Sequence, residues 1–214
     1  PDQRLRVVAL GDRAIEVAKT LDPSGARTRG ATHDVTSPGD CARLVADAER
    51  FFGGPIDIFH AHAGVGFAGD LRTVDPASIR RTIDINVTGS LFCAQAALAS
   101  LTQSRRASLL FTSSLQSVAT RPQRSAYTAS KHAIAGIVKA LAVEFGPLGV
   151  RVNAVAPSSI DGDFLRAQLA NVGTTDLDAA VSRVAAGMPL GRLPTPEDFA
   201  NALVFLASPL ARSI

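Results

Sequence analysis

The chain has 214 residues, 46% of them apolar, enough to bury a core and too hydrophobic for a disordered segment. No apolar run reaches transmembrane length and no basic-then-apolar leader opens the chain, so the cytoplasm is the expected compartment. A net charge of +3 from scattered arginines reads as solvated surface, not a nucleic-acid patch, and Cys41 and Cys93 read as reduced, buried thiols with no metal-ligand spacing.

Strand-like and helix-like segments then alternate along the chain. LRVVAL (5–10) reads as a strand and DRAIEVAKTL (12–21) as a helix. RGATHDV (29–35) is a strand, and PGDCARLVADAERFF (38–52) a helix. IDIFHAHAG (56–64) is a strand running into a glycine turn. Residues 76–101 form one long or broken helix. ASLLFTSS (107–114) is a strand, 127–145 a helix, GVRVNAVAP (149–157) a strand and PEDFANALVFLAS (196–208) a helix. The stretch 158–192 is less regular.

Helix starts are well marked. Ser37-Pro38, Asp75-Pro76 and Thr195-Pro196 each place a capping side chain before a proline at the first helical position, and Asp198 completes a capping box with Thr195. Several strands lack clean alternation, as expected when helices cover both faces of a sheet. The pattern predicts an α/β fold, a Rossmann-like doubly wound parallel sheet in three α/β/α layers. With no linker and no repeat it predicts one domain over 1–214.

GVGFAG (64–69) fits the dinucleotide fingerprint formally and follows a strand. No helix opens at once, however, so the helix N-terminus that a pyrophosphate needs is missing and the segment reads as a turn. Gly64 keeps a separate interest, because a glycine at a strand end lets a ligand approach the backbone.

Tyr127 is the only tyrosine, and Lys131 follows it at i+4 on the same helix face. An ammonium beside a phenol favours phenolate and makes the tyrosine a usable proton donor or acceptor near neutral pH. The alternative is a solvated surface pair. Ser113 and Ser114 end a strand, where parallel sheets present ligand-binding groups, and Ser114 lies thirteen residues before Tyr127. Asn86 sits inside a helical pattern, a poor place for asparagine unless its polar groups are used. Ser114 as a loop cap and Asn86 at a helix break are the structural alternatives.

Taken together, YTASK with Ser114 upstream, DINVTGS (84–90), HDVTSP (33–38), HAHAG (60–64), VRVNAVAP (150–157) and PLGRLPTPEDFANALVFLAS (189–208) resemble the classical short-chain dehydrogenase/reductase family over nearly the whole chain. The resemblance implies an oxidoreductase moving a hydride between a nicotinamide cofactor and a small alcohol or carbonyl substrate. It implies Tyr127 as general acid/base, Lys131 lowering its pKa and holding the nicotinamide ribose, Ser114 on the substrate oxygen, and Asn86 positioning a water. It also implies cofactor contacts at Asp34 and Val35 beside the adenine, at Ala61, Ala63 and Gly64, and at Pro157, Ser158 and Ile160. No metal is implied. The family's subunit-contact helices correspond to 76–101 and 127–145, so a homodimer or homotetramer is expected.

The chain also departs from the family. LRVVALGDR matches the family's second strand, so the first βα unit, with its Gly-rich phosphate loop, and the last strand are expected to lie outside these 214 residues. A catalytically inactive relative serving as scaffold or regulatory subunit is the rival reading. A hydrolase is a distant third, since no nucleophile elbow surrounds any serine. His62 stands where the family has a sheet-bracing asparagine. Asp12 after the first strand suits the ribose hydroxyls of NAD, whereas Arg13 beside it would suit the 2′-phosphate of NADP. NAD is the expected cofactor and NADP the alternative.

Overall fold

The computed structural model describes residues 7–10, 13–171 and 173–214. Among them the strands are β1 (Val7–Leu10), β2 (Thr28–Ala31), β3 (Ile58–Ala61), β4 (Ser108–Thr112) and β5 (Arg151–Val155), and every pairing is parallel. The helices are α1 (Ala14–Leu21), α2 (Pro38–Phe52), α3 (Pro76–Ile83), α4 (Gly89–Leu101), α5 (Ser125–Phe145), α6 (Asp163–Asn171), α7 (Leu177–Ala186) and α8 (Pro196–Ala207).

The ladders run β1–β2 and β3–β4–β5, with no pairing between β1 and β3 among the described residues. This break falls where the sequence places the family's first strand. Helices α2, α4 and α5 cover one face of β3–β4–β5. The core there is built from Cys41, Leu44, Ala97, Leu101, Leu109, Phe111, Ile134 and Val152. On the opposite face α8 packs against β4 and β5 and lays Phe199 by His60 and His62. The result is the three-layer architecture expected of alternating strands and helices. Helix α1 meets β2 backbone to backbone at Gly30, where a Cβ would collide with Ala14 and Ile15 main-chain atoms.

Local chemistry fixes the element ends. Ser37 caps α2 by accepting from the Asp40 N–H (3.2 Å), Asp75 caps α3 through Ala77 (3.1 Å), and Thr195 with Asp198 forms the expected capping box on α8. β2 stops short of the HDV segment because the Asp34 carboxylate accepts from Thr36 N and Oγ1, both at 2.8 Å, which bends the chain into a turn. The long helix over 76–101 is broken by a π-helical turn at Asp84–Thr88. Beyond β5, α6 and α7 occupy the segment whose periodicity was weak. Asp176 caps α7 through the Ala179 N–H at 2.9 Å, and Arg166 of α6 pairs with Asp178 of α7 at 2.8 Å.

Candidate active site

Parallel strands place all their carboxyl ends on one edge, and there the chain leaves β3 at Ala61, β4 at Thr112 and β5 at Val155. Ser113 and Ser114 follow β4 directly. The Ser113 N–H donates to Val155 O and the Leu115 N–H to Pro157 O, both at 2.9 Å, so the loops after β4 and β5 are pinned together. Over this edge α5 brings Tyr127 and Lys131, 6% and 4% exposed. The bland alternative of a solvated surface pair therefore does not hold.

Lys131 Nζ donates to the Thr112 carbonyl at 2.8 Å and lies 5.7 Å from the centroid of the Tyr127 ring. Burial pushes its pKa down to about 8. Burial also pushes the Tyr127 phenol up, opposed by the nearby Ser114 hydroxyl and then by the Arg124 guanidinium. The i, i+4 spacing puts both groups on one face, but the ammonium turns to Thr112 while Ser114 and Arg124 favour the phenolate.

Asn86 is buried inside the π-helical turn. Its Oδ1 accepts from the Val65 N–H at 2.8 Å, and its Nδ2 donates to Val65 O and to Ser130 Oγ, both at 3.0 Å. Ser130, fully buried, donates to the Tyr127 carbonyl at 2.7 Å. Asn86 thus ties the loop after β3 to the helix that carries Tyr127. Both its amide hydrogens are engaged, which leaves one Oδ1 lone pair for a water. The π-turn is what aims Asn86 inward, and nothing in the periodicity of 76–101 announces it beyond the misplaced asparagine itself.

Thr112, Ser130, Val65 and Arg124 are site residues that sequence reasoning missed. Thr112 does double duty: its carbonyl takes Lys131, and its hydroxyl lies 2.8 Å from both His60 Nε2 and His62 Nδ1. The alternation HAHA, which begins on β3 and runs past its end, puts the two imidazoles on one side, 5.1 Å apart between centroids. Burial first, then the field of His62, drives His60 down to about 4. Burial, then Lys131, lowers His62 as well. His60 is half-buried and neutral near pH 7, whereas His62 is exposed and meets the sheet through Thr112 Oγ1.

The remaining expected positions are spread along the same edge. Ala61 is buried at the end of β3, Ala63 is exposed and leads into Gly64, and Pro157, Ser158 and Ile160 are half-buried in the run after β5. Asp34 and Val35 lie after β2, with Val35 packed against the core. Arg13 is exposed and 3.6 Å from Asp163. Asp12 lies outside the described residues. The segment 62–70 carries no helix, consistent with reading GVGFAG as a turn.

The donor set fits a nicotinamide nucleotide. A Cβ at Gly64 would stand 3.3 Å from Asn86 Oδ1 and 3.6 Å from Lys131 Nζ, so bare backbone leaves room beside the ammonium. That ammonium has three N–H donors, and Thr112 O takes one.

A family model described as enoyl-(acyl carrier protein) reductase matches residues 3–214. The 3alpha-hydroxysteroid dehydrogenase of Mediterraneibacter gnavus is 33% identical, over 94% of this chain and 76% of that protein. The cis-4-hydroxycyclohexanecarboxylate dehydrogenase of Sinomonas cyclohexanicum is also 33% identical, over 98% and 82%. This chain belongs to the short-chain dehydrogenase/reductase family. Among solved structures, the 3-ketoacyl-(acyl-carrier-protein) reductase of Brucella melitensis complexed with NADH superposes with a TM-score of 0.81 at 26% identity, covering 98% of this chain and 83% of that one. As a short-chain dehydrogenase/reductase, the protein is an NAD(P)-dependent oxidoreductase acting on alcohols or carbonyls. Among the described residues no helix is long and apolar enough to cross a membrane.

Proposed function

We propose that Tyr127 is the general acid/base of this oxidoreductase, giving a proton to a carbonyl oxygen in reduction and taking it from a hydroxyl in oxidation. The observation that carries this reading is the burial of Tyr127 beside Ser114 at the carboxyl ends of the strands, with Lys131 behind it. When bound, the nicotinamide supplies or takes the hydride. Ser114 donates to the same substrate oxygen and stabilises charge as it develops there. Lys131 holds the ribose hydroxyls with the N–H donors that Thr112 leaves, and its positive charge adds to the field on the phenol. Asn86 acts through position: it fixes Val65 and, by way of Ser130, the first turns of α5. Tyr127→Phe keeps the ring and removes the acidic proton. Turnover should fall by about 100-fold or more with the circular dichroism spectrum unchanged. A phenylalanine variant as active as the parent overturns the assignment.

We further propose NAD as the preferred nucleotide, with Asp12 on the ribose hydroxyls. The exposed pairing of Arg13 with Asp163, which draws its guanidinium toward α6, supports this choice. The asymmetry rests on repulsion: a carboxylate accepts from two hydroxyls but opposes a 2′-phosphate. We also propose a homodimer or homotetramer, supported by the exposed apolar side chains of Leu91 on α4 and Val143 on α5, 42% and 80% exposed.

A further inference from the structure

Arg124 stands three residues before Tyr127, at the start of α5, and the oxidoreductase reading does not use it. Its side chain is half-buried, and Nη1 donates to the Phe67 carbonyl at 3.1 Å. The backbone around it is held hard. Gln123 adopts a left-handed conformation, with φ of 61°, and its carbonyl accepts from the Gly69 N–H at 2.9 Å. A non-glycine residue at positive φ is strained, and the Gly69–Gln123 hydrogen bond that helps to hold it there also ties the loop before α5 to the loop after β3, next to Arg124.

The guanidinium has no carboxylate partner among the described residues. Asp70 follows the clamped Gly69 in the chain, but both its oxygens are taken by Arg72. The other charged groups that act on Arg124 are the like charge of Arg121 and the Tyr127 phenol, whose ionised form Arg124 favours. The guanidinium is thus half-buried with one of its five N–H donors accounted for, so the others are free for an anionic ligand without breaking an ion pair.

Position says which ligand. Residues 124, 127 and 131 recur at i−3, i and i+4, on one face of α5. Arg124 lies about 4.5 Å before Tyr127 along the helix axis, and Lys131 about 6 Å after it. The phenol therefore separates Arg124 from the ammonium assigned to the nucleotide. On Arg124's side the surroundings combine phenyl rings with polar groups. Phe67 accepts its hydrogen bond, and α6 lays Phe164 and Gln168 over Gly66 in the same loop.

We infer that the substrate carries a carboxylate, held by the Arg124 guanidinium while Tyr127 and Ser114 engage the oxygen that changes oxidation state, with the carbon chain between them lying against Phe67 and Phe164. This inference rests on the oxidoreductase reading and narrows its substrate to hydroxy acids and oxo acids. An arginine accepts both carboxylate oxygens at once, which fixes the orientation of the chain as well as its charge.

The test is a ladder of 3-hydroxybutanoate, 4-hydroxypentanoate and 5-hydroxyhexanoate against their methyl esters, with NAD and with NADP. For at least one rung, kcat/KM of the parent protein should favour the acid over the ester by about 10–100-fold, the scale of a desolvated charge-assisted pair. In Arg124→Gln that ratio should collapse to about one, and Arg124→Lys should retain part of it. Calorimetric titration with 4-oxopentanoate gives a readout free of turnover when the protein is loaded with oxidised NAD, which has no hydride to give: the parent should bind it at least tenfold more tightly than Arg124→Gln. Acid/ester ratios near one on every rung, or equal 4-oxopentanoate affinity in both proteins, overturn the inference. So does an Arg124→Gln variant that loses cofactor affinity instead, since the guanidinium would then serve the nucleotide. Turnover of the esters that Tyr127→Phe abolishes leaves the oxidoreductase reading standing even if the acid preference fails.

Discussion

Replacing Asn86 by alanine removes a buried side chain that ties the loop after β3 to α5. Three hydrogen bonds go at once: to Val65 N, Val65 O and Ser130 Oγ. Each is worth about 1 kcal/mol net, more where the partner stays dry. Val65 is half-buried, so water recovers part of its share. Ser130 is sealed but keeps its bond to the Tyr127 carbonyl. Losing the amide from a site 1% exposed also leaves a small void. The expected cost is about 2–3 kcal/mol, or a melting temperature lower by about 5–10 °C for a chain of this size. Urea unfolding followed by circular dichroism measures it. Asn201→Ala, at an exposed position on α8, is the control and should stay within about 0.5 kcal/mol of the parent. Turnover should fall as well, because Val65 and Gly64 lose their anchor beside Lys131. An Asn86→Ala protein destabilised by less than about 0.5 kcal/mol would show that the amide does not brace the site.

His60, held near 4 by burial and by His62, takes up a proton more readily unfolded than folded. Its contribution to stability is therefore complete above about pH 6.5 and is lost as pH falls through 6.5 toward 4, by at most about 3 kcal/mol. The loss between pH 7 and 4.5 should shrink in His60→Gln, and an identical pH dependence in the two proteins refutes it. For nucleotide choice, catalytic efficiency should be higher with NAD than with NADP, and Asp12→Ala should move the ratio toward NADP. A parent that prefers NADP, or a ratio that does not move, places the discriminating residue elsewhere. Light scattering at micromolar concentration should give at least twice the chain mass, and Val143→Glu should lower it; a monomeric parent contradicts the proposed contact helices.

The sequence by itself determined much of the frame. Capping residues followed by proline announced α2, α3 and α8 to within a residue, because capping depends on neighbours in the chain and little else. Tyr127, Lys131 and Ser114 were legible as a group because helical spacing and a strand end are local facts. The π-turn that points Asn86 inward was not legible, since it depends on packing between α3, α4 and α5 rather than on any propensity. Nor was the partner of Lys131. Side-chain spacing put it by the phenol, whereas burial rewards it for also reaching a main-chain carbonyl on β4, and no pattern in 125–145 names Thr112. The same holds for Arg124, which in sequence is one surface arginine among many. Only the folding of the loop after β3 onto the start of α5 half-buries its charge beside the phenol and leaves it without a carboxylate among the described residues.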